Sequence, residues 1–145
     1  MTKTDHEQVQ ELMASYANAI DAKDYGAIGD CFTQDAEAKY SDFSPLLRGR
    51  EAILLHMRKA LEPLRVTQHI FGNFIVDTDG DAGTASCAII AQHIGPESDP
   101  KTYLSGGQYS LKLRRSAGRW QIASAMAQEV WSSGAREMLP RQGGS

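Results

Sequence analysis

The stretch Thr67-Gln68-His69-Ile70-Phe71-Gly72-Asn73-Phe74-Ile75-Val76 reads as a half-buried β-strand, and Asp77-Thr78-Asp79-Gly80 reads as the turn that follows it. β-Branched and aromatic residues fill the run, and an Asp-Gly pair between two such runs is a strong hairpin signal. Gly83 to His93 supplies the returning strand. After a loop of turn formers, Gly95-Pro96-Glu97-Ser98-Asp99-Pro100, the pattern repeats. Tyr103 to Arg115 and Arg119 to Val130 flank Ser116-Ala117-Gly118 as a second hairpin. The second half of the chain is therefore a run of antiparallel strands.

The first half has helical periodicity instead. Thr4 and Glu7 stand at capping-box spacing, and Val9, Leu12, Met13, Tyr16 and Ile20 recur on one face behind them. That predicts a helix from Asp5 to Ala22. Asp24 caps a short second helix carrying Tyr25, Ile28 and Phe32. Asp35 to Asp42 alternates as a strand, and Ser44-Pro45 ends it. After Gly49 a third helix presents Ile53, Leu54, Met57 and Leu61 until Pro63 stops it. Helices first and hairpins after is the α+β pattern, with helices on one face of an antiparallel sheet.

At 145 residues the chain suits one domain, predicted over residues 1–131, with 132–145 as a flexible tail. Hydrophobic residues at 41% and charged residues at 23% fit a globular protein rather than a disordered one. A net charge of −3 argues against nucleic acid or an anionic membrane surface as a partner, since either needs a basic face. No apolar run approaches the ~20 residues of a spanning helix, and no signal-peptide pattern opens the chain, so the expected location is cytoplasmic. Cys31 and Cys87 lack metal or disulfide spacing. No histidine pair has metal spacing and no glycine loop suits phosphate, so no cofactor is expected.

Candidate chemistry starts with His69. A histidine inside an apolar strand needs a hydrogen-bond partner, and a carboxylate partner would make it a base. Asp21 closes the first helix, where the helix dipole disfavours an acid, which suggests a partner elsewhere. Phe71, Asn73 and Ile75 continue the His69 face of the strand and would line a mixed pocket around it. Ile70, Phe74 and Val76 would then form the other face. His6 and His56 read as solvated.

Four stretches together resemble the SnoaL-like branch of the nuclear-transport-factor-2-like superfamily. They are Tyr16-Ala17-Asn18-Ala19-Ile20-Asp21, Phe32-Thr33-Gln34-Asp35-Ala36, Thr67 to Asn73, and Gly118-Arg119-Trp120-Gln121-Ile122-Ala123. The likeness implies a cone-shaped α+β barrel, three N-terminal helices on a strongly curved antiparallel sheet enclosing a pocket. Such domains are usually homo-oligomers, and the scaffold hosts several activities as well as non-catalytic subunits. Tyr16, Asp21, Tyr40 and His69 resemble the polar set of bile acid 7α-dehydratases in order and approximate spacing. His93 resembles a further pocket position that is histidine in scytalone dehydratases.

The resemblance implies a cofactor-independent lyase of the dehydratase type. His69 would be the base, Asp21 its orienter, Tyr16 and Tyr40 the hydrogen-bond donors, and His93 a substrate-binding residue with Phe71, Asn73 and Ile75. The substrate would be mid-sized, apolar, and polycyclic or aromatic, and the assembly a homodimer or homotrimer. Two alternatives stay open: a ketosteroid-isomerase-like double-bond isomerase, and a binding or assembly subunit like the small subunits of dioxygenases.

Overall fold

The capping box at Thr4 and Glu7 forms as the spacing requires. The Thr4 hydroxyl accepts from the Glu7 N–H, and the Glu7 carboxylate accepts from the Thr4 N–H. It starts α1 (Asp5–Asp21), followed by α2 (Tyr25–Asp30), whose first turn Asp24 caps. Then come β1 (Phe32–Lys39), the two-residue β2 (Leu47–Arg48) and α3 (Arg50–Leu61). Four long strands complete the chain: β3 (Val66–Asp79), β4 (Ala82–Ile94), β5 (Thr102–Ser116) and β6 (Arg119–Gly134). This computed structural model describes residues 2–139.

The six strands form one curved sheet in the order β2-β1-β6-β5-β4-β3, antiparallel except for the β1–β6 pair. The three helices pack on this sheet as a cone-shaped α+β fold. Between helices and sheet lies a core of Val9, Met13, Tyr16, Ile20, Ile28, Phe32, Ile53 and Ile122, none more than 2% exposed. Side chains of this size contribute about 1.5–3 kcal/mol each when fully buried.

The element boundaries differ from the sequence expectation at three places. Phe32 belongs to β1, not to the second helix, because the parallel partner β6 captures the chain there: Phe32 lies opposite Ile122, and the Ile122 N–H donates to the Cys31 carbonyl. β1 therefore runs from Phe32 to Lys39 rather than from Asp35 to Asp42. The first hairpin turns at Gly80 and Asp81, with Asp79 paired to Ala82. At the other end of the chain, Ser132, Ser133 and Gly134 pair with Ser105, Leu104 and Tyr103, and Arg136–Met138 form a 3-10 turn. Residues 132–135 of the expected flexible tail are thus tied into the sheet by backbone pairing with β5. Its residues 140–145 lie outside the described residues.

One irregularity redirects an entire strand. In β3 Gly72 pairs with Ala88 and Ile75 with Ser86, so Asn73 and Phe74 together oppose Cys87. This is a β-bulge, and Asn73 adopts the left-handed φ of 55° that a short polar side chain tolerates. One extra residue inverts everything beyond it. Thr67, His69 and Phe71 point inward before the bulge, Phe74 and Val76 after it. Ile75 is turned out, 72% exposed. The unbroken alternation read from the sequence is corrected accordingly: Asn73 and Ile75 leave the interior, and Phe74 and Val76 enter it.

Candidate active site

The first polar cluster arises where the end of α1 meets the start of β3. Asp21 is the last residue of α1, and its carboxylate takes three hydrogen bonds from β3. The Thr67 hydroxyl donates at 2.9 Å, the His69 backbone N–H at 3.0 Å, and the His69 ring Nδ1 lies at 2.8 Å. Burial raises the Asp21 carboxyl, but the His69 ring, the His69 backbone and the Thr67 hydroxyl outweigh it together and hold the group below the ordinary carboxylate range. An ionised carboxylate only accepts, so the facing Nδ1 carries the hydrogen, and in the neutral ring the lone pair is on Nε2. The acid at the wrong end of a helix is explained: β3 supplies the donors that the helix terminus does not.

His93 stands beside this pair. Residues 67 and 93 are cross-strand partners on β3 and β4, which sets the His69 and His93 rings edge to face at 5.8 Å. The His93 Nδ1 lies 2.9 Å from the Tyr103 carbonyl oxygen, which only accepts. His93 therefore also holds its hydrogen on Nδ1 and offers a bare Nε2. Burial is the main cause that keeps its imidazole below the ordinary histidine value, hence neutral at pH 7.

The tyrosines form a second cluster. Tyr40, just beyond β1, places its hydroxyl 2.9 Å from that of Tyr16. Tyr16 is completely buried, packed edge-on to Phe32 and stacked on Phe71. Desolvation raises both phenols, so both are neutral donors at physiological pH. When Tyr16 donates to Tyr40, the Tyr40 hydrogen is free for a third oxygen, and the chain of two hydroxyls strengthens it as a donor.

A cavity of about 140 Å³ joins the clusters. His69, His93 and Tyr40 line it, with Ile20, Met57, Leu61, Leu64, Ile89 and Ala91 as apolar walls. Of the other residues expected in the site, Tyr16 is behind Tyr40 rather than on the wall. Phe71 packs behind the lining, between Tyr16 and Tyr109. Asn73 and Ile75 are on the outer face, for the reason given by the bulge.

Several lining residues were not anticipated. His56, read as solvated, is half-buried, stacks on Tyr40 at 5.5 Å with the rings 5° from parallel, and lines the cavity. Its helical spacing carried the signal: Ile53, His56, Met57, Ala60 and Leu61 fall on one face of α3. Glu129, on β6, accepts hydrogen bonds from the Tyr103 hydroxyl and from Arg136, and Leu139 adds to the lining from the C-terminal side. No local pattern marks Glu129, because its partners come from a different strand and from beyond the sheet.

Among the described residues no three His, Cys, Asp or Glu side chains cluster as metal ligands. Cys31 and Cys87 are buried, and desolvation pushes both thiols up to about 11, which leaves them protonated and unreactive. No helix among the described residues is long and apolar enough to cross a membrane.

Residues 1–125 match the model of the SnoaL-like domain. The uncharacterized protein Rv2910c of Mycobacterium tuberculosis is 31% identical over 87 residues, which is 60% of this chain and 58% of that protein. The match therefore spans less than two thirds of the relative's length. Three solved structures share the fold. A provisionally assigned aromatic ring hydroxylase from Novosphingobium aromaticivorans superposes with a TM-score of 0.85, 23% identity, and coverage of 92% of this chain and 95% of that one. A provisionally assigned scytalone dehydratase from the same organism gives 0.82, 18% identity, and coverage of 90% and 87%. A type 2 hexachlorocyclohexane dehydrochlorinase gives 0.79, 17% identity, and coverage of 89% and 87%. At these identities the likeness is one of fold.

Proposed function

We propose, from the premise that the chain belongs to the SnoaL-like family of the nuclear-transport-factor-2-like superfamily, that its cavity catalyses a cofactor-independent elimination. The observation that carries the reading is the Asp21–His69 pair: an imidazole with a fixed tautomer and a free Nε2 on the wall of an apolar cavity. Nε2 of His69 takes a proton from the carbon beside a carbonyl. The electron pair moves onto the carbonyl oxygen, where the Tyr40 hydroxyl donates to the developing charge and Tyr16 holds Tyr40 in place. As the double bond forms, the β-hydroxyl leaves with the proton returned from the imidazolium, so one substrate yields one unsaturated product and one water. Asp21 orients the ring and stabilises its cation throughout.

Two of the solved structures that share this fold are of eliminating types, a provisionally assigned dehydratase and a dehydrochlorinase, which favours this reading over isomerisation. An open cavity with three imidazoles on its wall disfavours a purely structural subunit. The cavity's size narrows the substrate. A sealed engineered cavity of about 150 Å³ takes one benzene, so the cavity of about 140 Å³ here holds one ring, and its open side lets the rest of a larger substrate reach solvent. The assay is direct: a single-ring β-hydroxy ketone such as 3-hydroxycyclohexanone, followed in D₂O. The expected result is deuterium exchange beside the carbonyl together with absorbance of the enone. A panel of such ketones showing neither exchange nor dehydration above buffer would sink the reading.

The proposed partner is a second copy of the chain, packed on the outer face of the sheet. Ile70, Ile90, Gly106 and Trp131 are successive cross-strand neighbours on β3, β4, β5 and β6. Gly106 has to be glycine, since a Cβ there would sit 2.1 Å from the Trp131 ring. The indole lies flat over it and extends the row begun by Ile70 and Ile90, 59% and 49% exposed. An apolar row across four strands with no helix over it suits an isologous sheet-to-sheet contact. Light scattering at micromolar concentration is expected to give at least a dimer, and Trp131→Glu a monomer. A monomeric wild type would remove the partner.

A further inference from the structure

The catalytic reading leaves His56 without a task. The wall around this residue is otherwise spent. The Ser44 hydroxyl donates to the Ser41 carbonyl and accepts from the Tyr40 and Ser41 N–H groups, and the Ser41 hydroxyl accepts from the Phe43 N–H. The His56 ring nitrogens have no hydrogen-bond partner among the described residues, although the ring is half-buried and held flat against Tyr40. An imidazole that fronts a cavity without protein partners is free to bond what enters it. α3 carries His56 at its middle and ends at Leu61, roughly 7.5 Å further along its axis. Just past that end, the Leu64 carbonyl accepts from Lys23, two residues after Asp21. His56 lines the same cavity as His69 from a different element, α3 against β3.

We propose that His56 is a substrate-binding residue on the cavity wall beside Tyr40, and that the ring held there bears an oxygen function for it besides the carbonyl and β-hydroxyl of the elimination. The proposal rests on the reading of the cavity as a substrate site and narrows its substrate class. The carbonyl and β-hydroxyl lie within the reach of Tyr40, His69 and His93, and the further oxygen accepts from, or donates to, the His56 ring. The apolar walls of Met57, Leu61, Ile89 and Ala91 hold the ring carbons between these groups. Burial is the main cause that keeps His56 below the ordinary imidazole value, so at neutral pH it has one N–H donor and one acceptor nitrogen. A neutral imidazole of this kind pairs with a hydroxyl or a carbonyl and gives no charge advantage to a carboxylate. The purely structural alternative is an aromatic plate that supports Tyr40 by stacking, which phenylalanine would serve equally well.

Two ring probes of the same shape separate these roles. Hydroquinone carries hydroxyls at both ends, and p-cresol replaces one of them by methyl. Dissociation constants for both, measured in oxygen-free buffer on wild type and His56→Phe, yield the ratio of p-cresol to hydroquinone. That ratio is expected to fall by about three- to tenfold in His56→Phe, the value of one hydrogen bond, while p-cresol binding stays within about twofold. His56→Gln, which restores a donor and an acceptor, should recover part of the ratio. In ¹⁵N-histidine-labelled wild type, the His56 ring signals should move with hydroquinone and not with p-cresol, a readout that needs no variant to fold. An unchanged ratio, unmoved His56 signals, or no binding of either probe overturns the proposal. A His69→Ala protein with full turnover would instead remove the catalytic reading and leave this ratio intact.

Discussion

His69→Ala lowers turnover of a true substrate by about 10²–10⁴-fold, the range that a positioned general base contributes. The variant keeps its fold, because the His69 ring sits on the cavity wall, where its loss enlarges an existing cavity, and His93 keeps its own bond to the Tyr103 carbonyl. Asp21→Asn is expected to be severe for a different reason. An amide in that place can present N–H to the ring and favour the hydrogen on Nε2, the atom that must take the substrate's proton. Because both changes disable one unit, the double variant should be little worse than His69→Ala alone. Tyr40→Phe removes one donor to the developing oxyanion and should cost less than losing the base, and Tyr16→Phe less again, since Tyr16 acts through Tyr40. Steady-state kinetics on the four single variants and the double variant establish the order. A folded His69→Ala protein with normal kcat would exclude His69 as the base.

Inserting an alanine between Phe74 and Ile75 produces the second large effect, on stability. The added residue would take the outward place of Ile75, turning Ile75 inward and Val76 and Thr78 outward. Val76 packs against the core, and the Thr78 hydroxyl donates to Asp5 at 2.9 Å. Half-burial of Val76 plus that charge-assisted bond amounts to about 2–4 kcal/mol, a large part of the 5–15 kcal/mol that holds a domain of this size together. A urea transition displaced to much lower midpoint, or no folded baseline, is the expected result. Deleting Asn73 should be mild by comparison, because Phe74 alone then opposes Cys87 while Ile75 and Val76 keep Ser86 and Ala85 as partners. Asn73→Gly should be mild too, because glycine accepts the positive φ without strain. An insertion variant as stable as wild type would mean that the turn at Gly80 and Asp81 absorbs the added residue.

The amino-acid sequence by itself determined the three helices, the two hairpins and their order, because periodicity, caps and turn formers are local. α1 begins at the capping box of Thr4 and Glu7, and the second hairpin turns on Ala117 and Gly118, both at positive φ as that turn demands. The pairing of Asp21 with His69 was legible in part, since an acid at a helix C-terminus and a histidine in a strand each lack a local partner. Three matters only the tertiary structure decided. The bulge at Asn73 and Phe74 is fixed by the register with β4, not by the residues of β3 alone, and so the faces assigned to Asn73, Phe74, Ile75 and Val76 came out inverted. Tyr16 stands behind Tyr40 rather than beside it, because Phe32 and Phe71 hold its ring in the core. His56 belongs to the cavity because β1 carries Tyr40 against the middle of α3, a contact between elements whose local patterns say nothing of each other. Local patterns set which face of an element is apolar; packing between elements sets which polar groups on that face meet, and a cavity is made of such meetings.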